Sequence, residues 1–298
     1  MTRCFGTVKA VDDVSFEIER GRVAGFLGPN GAGKTTSMRM LAGVLPPTSG
    51  RAFIGGHDVM EQPRAAHASL GWLPEGAPAC DELRVEEYVR YRGALAGGVP
   101  RRRYAELLAR CDLMDVRRRL VGQLSRGYRQ RVALAAALVG DPAALILDEP
   151  STGLDPVQQR AFRRLVRELA EDRAILFSTH QVGDALAVCD DLLVIVGGSL
   201  KAAGDLASLR GAAGRRRVVL EAAGVDLAAT LGAMSQVHDL EVQATEGDWH
   251  RAVCTLKDDV RDDLVAAIMQ AGGRLRLLRD AEGSLEQWLH GLLEGGSA

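Results

Sequence analysis

The stretch Gly28-Pro29-Asn30-Gly31-Ala32-Gly33-Lys34-Thr35-Thr36 constrains the fold more than any other part of this chain. It fits the pattern G-x-x-x-x-G-K-[ST] and lies between an apolar run, Val23 to Leu27, and a segment of helical spacing, Ser37 to Val44. The apolar run predicts a buried parallel strand, so the order is strand, glycine loop, helix. Glycines let successive backbone N–H groups turn inward as an anion-binding nest, and the helix start adds about half a positive charge. Lys34 can reach terminal phosphates, and the Thr35 hydroxyl can ligate Mg²⁺. Only four of the 37 basic residues are lysines, so a lysine here is a poor accident.

Length and composition set the frame. The chain's 298 residues suffice for one large domain and a small one, and 47% hydrophobic residues can bury an ordinary core. A net charge of -2 gives no global field toward nucleic acid or an anionic membrane. The short clusters Arg101–Arg103, Arg117–Arg119 and Arg215–Arg217 read as solvated faces or loops. The five cysteines are scattered without a C-x-x-C, which disfavours a zinc site or disulfide framework and suits a reducing compartment. There is no apolar leader at the N-terminus, and no apolar run approaches the roughly 18 residues of a membrane span.

Along the chain, Val11 to Ile18 alternates as a half-exposed strand does, and Arg51 to Ile54 with Gly55-Gly56 predicts a strand entering a turn. Residues 80–140 lose strand signals and take helical spacing, which predicts a helical insertion. Strands return at Ala144–Leu147, Ala174–Phe177 and Leu192–Val196, with an amphipathic helix over Val157–Glu171. This alternation predicts a mostly parallel sheet. Gly211-Ala212-Ala213-Gly214 suits a linker. Beyond it, strands near Arg217–Leu220, Arg251–Leu256 and Arg274–Leu278 and helices near Leu264–Gln270 and Leu285–Leu293 predict a small α+β appendage without a chemical motif.

Two further stretches carry chemistry. Leu145-Ile146-Leu147-Asp148-Glu149 is an apolar strand ending in two carboxylates. At the C-terminal edge of a parallel sheet it would lie beside the glycine loop, with Asp148 holding Mg²⁺ and Glu149 polarising an attacking water. Leu124-Ser125-Arg126-Gly127-Tyr128-Arg129-Gln130-Arg131 opens an apolar helix: Ser125 is a good N-cap, and Gly127 permits close backbone approach. Alone, this second stretch reads more readily as an ordinary capped helix than as a phosphate site.

Taken together, these motifs resemble the ATP-binding-cassette (ABC) ATPases. Leu-Ser-Arg-Gly-Tyr-Arg-Gln-Arg is similar to their signature sequence, the loop at Gly28–Thr36 to their phosphate loop, and Leu-Asp-Glu-Pro to their second carboxylate motif. Ser151-Thr152-Gly153-Leu154-Asp155 resembles their D-loop, and His180 in Phe-Ser-Thr-His their switch histidine. The resemblance covers about residues 4–205. Leu73-Pro74-Glu75, the Gly-Tyr-Arg signature and the tail Ser284 to Leu289 look most like single-cassette ATPases of ABC-2-type exporters, including the gliding-motility type. The fold this implies is α/β, of the P-loop NTPase kind: a mostly parallel core sheet, an antiparallel side sheet and a helical subdomain at about 76–141. These would make an ATP-binding domain over 1–205, with a small α+β domain over 206–298.

The same resemblance implies a head-to-tail pair of cassettes, either a homodimer or a pairing with a related cassette, with two ATP molecules at their interface. Lys34, Thr35 and the loop of one cassette would bind the ATP that meets Ser125 and Gly127 of the other. Asp155 would fix the opposing cassette, and His180 would bond the γ-phosphate region. Phe5, in what looks like the adenine-stacking segment, would stack the base. The implied cofactors are ATP and Mg²⁺. The implied partner is an integral-membrane permease with no nucleic acid, which puts the subunit peripherally on the cytoplasmic face of the membrane. A coupling helix of that permease would seat between the main sheet and residues 76–100.

Three departures from the pattern matter. Glu75 stands where the family has a metal-touching glutamine, and a carboxylate there can still ligate Mg²⁺. Arg126 and Tyr128 replace a glycine and a glutamine of the signature, changes that recur in the ABC-2 group. The strand that normally precedes Arg3–Gly6 is missing, so the expectation is a start codon set too late or a raw edge on the side sheet. Two other functions compete with transport: a non-transport ABC ATPase acting on a macromolecular complex, and a nucleotide-gated binding subunit without turnover. The first usually brings coiled coils or tandem cassettes, which this chain lacks. Glu149 and His180 argue against the second.

Overall fold

The computed structural model describes residues 1–76, 79–212, 216–256, 260–280 and 284–294. The chain divides into two compact units, one of Met1–Asp205 with the chain from Leu292 on, the other of Leu206–Gly291.

In the first unit the elements run β1 (Arg3–Phe5), β2 (Val8–Val11), β3 (Val23–Leu27), α1 (Lys34–Leu41), β4 (Phe53–Ile54), β5 (His57–Asp58), α2 (Pro63–Ala68) and β6 (Leu70–Leu73). Next come α3 (Val85–Leu95), α4 (Arg101–Arg110) and α5 (Arg126–Ala137), then β7 (Ala144–Leu147), α6 (Pro156–Ala170), β8 (Ala174–Thr179), α7 (Val182–Val188), β9 (Asp191–Val196) and β10 (Ser199–Asp205). Six strands form one sheet in the order β10-β9-β3-β8-β7-β6. Only the β10–β9 pairing is antiparallel; the others are parallel. All five residues of β3 are buried because both faces of this central strand are covered, which explains the unbroken apolar run in the sequence. Phe26, Met38, Met40, Ile146 and Leu176 share one core cluster, so the helix behind the glycine loop is fixed to the sheet by its own apolar face. Each such fully buried side chain stabilises by about 1.5–3 kcal/mol.

Register decides what this sheet brings together. Leu27 pairs with Thr179, Leu147 with Phe177, and Leu73 with Leu147. The chain therefore leaves β6, β7, β8 and β3 along one edge. The residues immediately beyond those strand ends are Pro74-Glu75, Asp148-Glu149, His180 and the loop from Gly28. The three helices between β6 and β7 supply the helical insertion that loss of the strand period predicts; Ala77 and Pro78, at its start, lie outside the described residues.

One expectation needs correction. The strand anticipated over Val11–Ile18 ends at Val11, where its ladder with β1 ends. Asp13 turns the chain with φ 48°, and its N–H goes to the Thr2 hydroxyl. Val14, Phe16 and Ile18 still pack on the core, so the alternation reports burial and not ladder pairing. The antiparallel side structure takes the form of two separate two-stranded ladders, β1–β2 and β4–β5.

In the second unit the elements are α8 (Leu206–Ala212), β11 (Arg216–Ala223), α9 (Leu227–Gly232), β12 (Val237–Ala244), β13 (Trp249–Leu256), α10 (Arg261–Gln270), β14 (Arg274–Asp280) and α11 (Ser284–Glu294). The strands form an antiparallel sheet, β12-β13-β11-β14, in a βαββαβ arrangement. Val218, Leu220, Ala252, Cys254, Leu264 and Ile268 make its core. Helix α8 occupies the first half of the expected linker, and the remainder, Ala213 and Gly214, lies outside the described residues.

Candidate active site

The glycine loop is shaped by its surroundings. Gly33 holds φ 104°, and a Cβ on it would sit 2.5 Å from the Ala10 carbonyl oxygen, so only glycine serves at the turn into α1. The Lys34 side chain is 6% exposed; its ammonium donates to the carbonyls of Gly28 (2.6 Å) and Pro29 (3.2 Å). It also lies 3.5 Å from Oε1 of Glu149. Asn30 and Gly31 form the exposed tip of the loop, Ala32 and Gly33 its buried return, and Thr35 and Thr36 follow Lys34 in the first turn of α1.

Glu149 is the hub. Its φ is 47°, in the left-handed region that costs a non-glycine residue about 1–3 kcal/mol. The backbone strain is held by the Ser178 hydroxyl, which accepts the Glu149 N–H at 2.9 Å. Oε2 accepts from Thr152 Oγ1 at 3.1 Å and lies 2.9 Å from Nδ1 of His180. Oε1 is buried without a hydrogen-bond partner and faces the Lys34 ammonium. His180 is 39% exposed on its side chain, so it borders the opening of the site.

Asp148 is buried and accepts from Ser178 Oγ at 2.7 Å. Burial pushes its carboxyl up from the ordinary range; Ser178 opposes this, the charges of Glu75 and Glu149 add to it, and the Thr35 hydroxyl opposes it. A cation would relieve this crowding, and the donors are hard oxygens of the kind Mg²⁺ takes. Among the described residues no three acidic, histidine or cysteine side chains are placed to hold a metal unaided. Phosphate oxygens of a bound nucleotide would join these oxygens around such a cation.

The other residues singled out in the sequence make their own local contacts. Ser125 is an exposed N-cap of α5 whose side chain makes no capping bond. Gly127 is buried, with Oε1 of Gln158 2.5 Å from where a Cβ would lie; the close approach is to its own chain. Asp155 caps α6, accepting the N–H groups of Val157 and Gln158 at 2.9 Å each. Phe5 is half exposed on β1, with the Arg3 guanidinium 4.7 Å from its ring centre, a cation–π contact on one face. Ser178 and Thr152, which hold Asp148 and Glu149 in place, do not stand out from the sequence. Their only signal is being a hydroxyl one or two residues from His180 or Gly153.

A profile of the family described as ABC transporter matches residues 11–152. The ATP-binding protein NatA of Bacillus subtilis is 40% identical over 207 residues, which cover 68% of this chain and 84% of that protein. The chain belongs to the ABC transporter ATP-binding family. An uncharacterized ABC transporter ATP-binding protein of Synechocystis is 32% identical over 288 residues, 94% of this cassette chain and 77% of its own, so that likeness runs on through the second unit. The solved ATP-binding subunit of an ABC transporter matches with a TM-score of 0.65 at 29% identity, over 71% of this chain and 90% of that one. The cassette is an ATPase.

Proposed function

We propose that this cassette powers a separate integral-membrane permease as the nucleotide-binding subunit of an ABC-2-type exporter. It works as a pair of cassettes, homodimeric or with a related cassette, on the cytoplasmic face of the membrane. Lys34 and the loop of residues 28–36, whose backbone N–H groups are donors at every position but Pro29, hold the triphosphate, and Phe5 stacks the adenine. Thr35, Asp148 and Glu75 hold Mg²⁺, which supplies charge neutralisation on the phosphates when bound. Glu149 takes the proton of the attacking water, and His180 orients the γ-phosphate side of the site. Ser125 and Gly127 cap the nucleotide held by the other cassette, with Asp155 at the same interface. An exposed serine hydroxyl without a capping bond, at a helix start, is what such a cap requires.

One observation supports the permease most directly. An open cavity of about 390 Å³ is lined by Val44, His67, Trp72, Pro74, Tyr88 and Arg92. Val44 is 62% exposed there, and Pro74 leads straight into Glu75. An amphipathic helix seated in this groove would press on the segment that carries a metal-site carboxylate. With Val44→Asp, a tagged cassette should no longer co-purify with a multi-span membrane protein from its own cells, while basal ATPase activity stays within about twofold. Unchanged co-purification would count against this seat. Glu75→Gln should raise the Mg²⁺ concentration for half-maximal turnover by about threefold or more, since a neutral amide oxygen binds a hard cation less well. An identical titration would remove Glu75 from the metal shell.

A further inference from the structure

Arg126 is the first residue of α5, beside Ser125, where the family pattern has a glycine. A cation at a helix N-terminus opposes the helix dipole, and the first turn of α5 carries no acidic residue to compensate. Arg126 is exposed and makes no hydrogen bond or ion pair among the described residues. Its guanidinium lies against Gly153. A Cβ on Gly153 would be 2.5 Å from both Cζ and Nη1 of Arg126 and 2.7 Å from its Nε. Gly153 also has φ 75°, a left-handed backbone that disfavours any side chain, whereas the exposed Arg126 side chain could itself give way.

What lies next to Gly153 gives this contact meaning. Thr152 donates through Oγ1 to Oε2 of Glu149 at 3.1 Å, and its N–H closes a turn on the Glu149 carbonyl at 3.2 Å. On the other side, Ser151 is buried and hydrogen-bonded to Asp184, which pairs with Arg163. The loop is thus anchored at Ser151 and capped into α6 at Asp155, with Thr152 and Gly153 between the anchors. Gly153, against which Arg126 lies, is thus the chain neighbour of the residue that holds the Glu149 carboxylate.

We propose that Arg126, Gly153 and Thr152 form a positioning relay between the first turn of α5 and Glu149 of the same cassette. It rests on the reading of Glu149 as the group that takes the proton. The α5 start meets the nucleotide of the opposing cassette in that reading, so the relay makes the orientation of one site's base depend on how the other site is filled. Thr152 and Arg126 are positioning residues and touch no reacting atom of the nucleotide bound by their own cassette.

The experiment uses the full chain, with kcat from steady-state hydrolysis and Kd from binding of a fluorescent ATP analogue. Thr152→Val keeps the shape and removes the hydroxyl; kcat should fall about tenfold while Kd stays within about twofold. Thr152→Ser should restore kcat to within about twofold of wild type. Thr152→Ala is measured alongside, so that crowding by valine is not mistaken for loss of the bond. Arg126→Gly should lower kcat about as much as Thr152→Val, and the double variant should be no slower than the slower single one, because both act through one carboxylate. Multiplying losses, a serine variant as slow as valine, or a loss confined to Kd would each overturn the relay. Glu149→Gln separates the two levels: a dead Glu149→Gln beside a wild-type-like Thr152→Val sinks the relay alone, whereas an active Glu149→Gln sinks the reading beneath it.

Discussion

Glu149→Gln should lower kcat for ATP hydrolysis by about 10²–10⁴-fold and leave ATP binding nearly intact. The amide has the carboxylate's shape, so Oε2's neighbours, Thr152 and the His180 ring, can still pack around it. What it lacks is a basic oxygen. Oε1 of Glu149 is buried, without a hydrogen-bond partner, 3.5 Å from the Lys34 ammonium. A carboxylate oxygen left in that state can accept a proton from water, while a glutamine there offers a weak base or a donor aimed at a cation. Steady-state phosphate release beside calorimetric titration of ATP separates the two effects. A variant that keeps more than about a tenth of wild-type turnover would move the base elsewhere.

The second large effect is expected for Lys34→Ala, in binding. The ammonium draws the Gly28 and Pro29 carbonyls around itself and faces Glu149, so it is already placed where a triphosphate would lie along the loop. Charge-assisted contacts of this kind are about twice as strong as neutral ones, and losing them should raise the ATP dissociation constant by about 100-fold. Truncation also leaves two carbonyls and a buried carboxylate without their cation, which should cost about 1–3 kcal/mol of stability. Calorimetry for affinity and thermal melting for stability read the two separately. A dissociation constant within about threefold of wild type would mean that the loop amides hold the phosphates without it.

How much of this was legible in the chain follows from which interactions are local. The glycine loop, its strand and its helix are contiguous, and the constraint at Gly33 is a backbone one, so sequence carries it in full. Asp148 and Glu149 could be placed beside the loop because parallel strands bring their C-terminal ends to one edge, whereas Glu75 and His180 joined them only through the family resemblance. The hydroxyls that set those carboxylates were not legible. Ser178 bonds across strands to residues 29 and 30 positions away, and nothing in Phe-Ser-Thr-His marks its serine as the partner of Asp148. The packing of Arg126 on Gly153 is likewise a long-range contact between two motifs. The Val11–Ile18 strand failed for another reason: alternation measures which side is buried, and Asp13 had already turned the chain out of the ladder. In the second unit β12 escaped notice because Val237–Ala244 is half exposed at a sheet edge, with charged residues interrupting its apolar positions.

The central claim is that each cassette offers a different face to each of two nucleotides, Lys34 and Glu149 from one side and Ser125 from the other. Sedimentation of Glu149→Gln with and without Mg-ATP tests it most directly. The expected result is a monomer without nucleotide and a dimer holding two ATP molecules with it, a dimer that Ser125→Arg prevents although each monomer still binds ATP. A protein that binds ATP and stays monomeric, alone and beside its membrane partner, would contradict it.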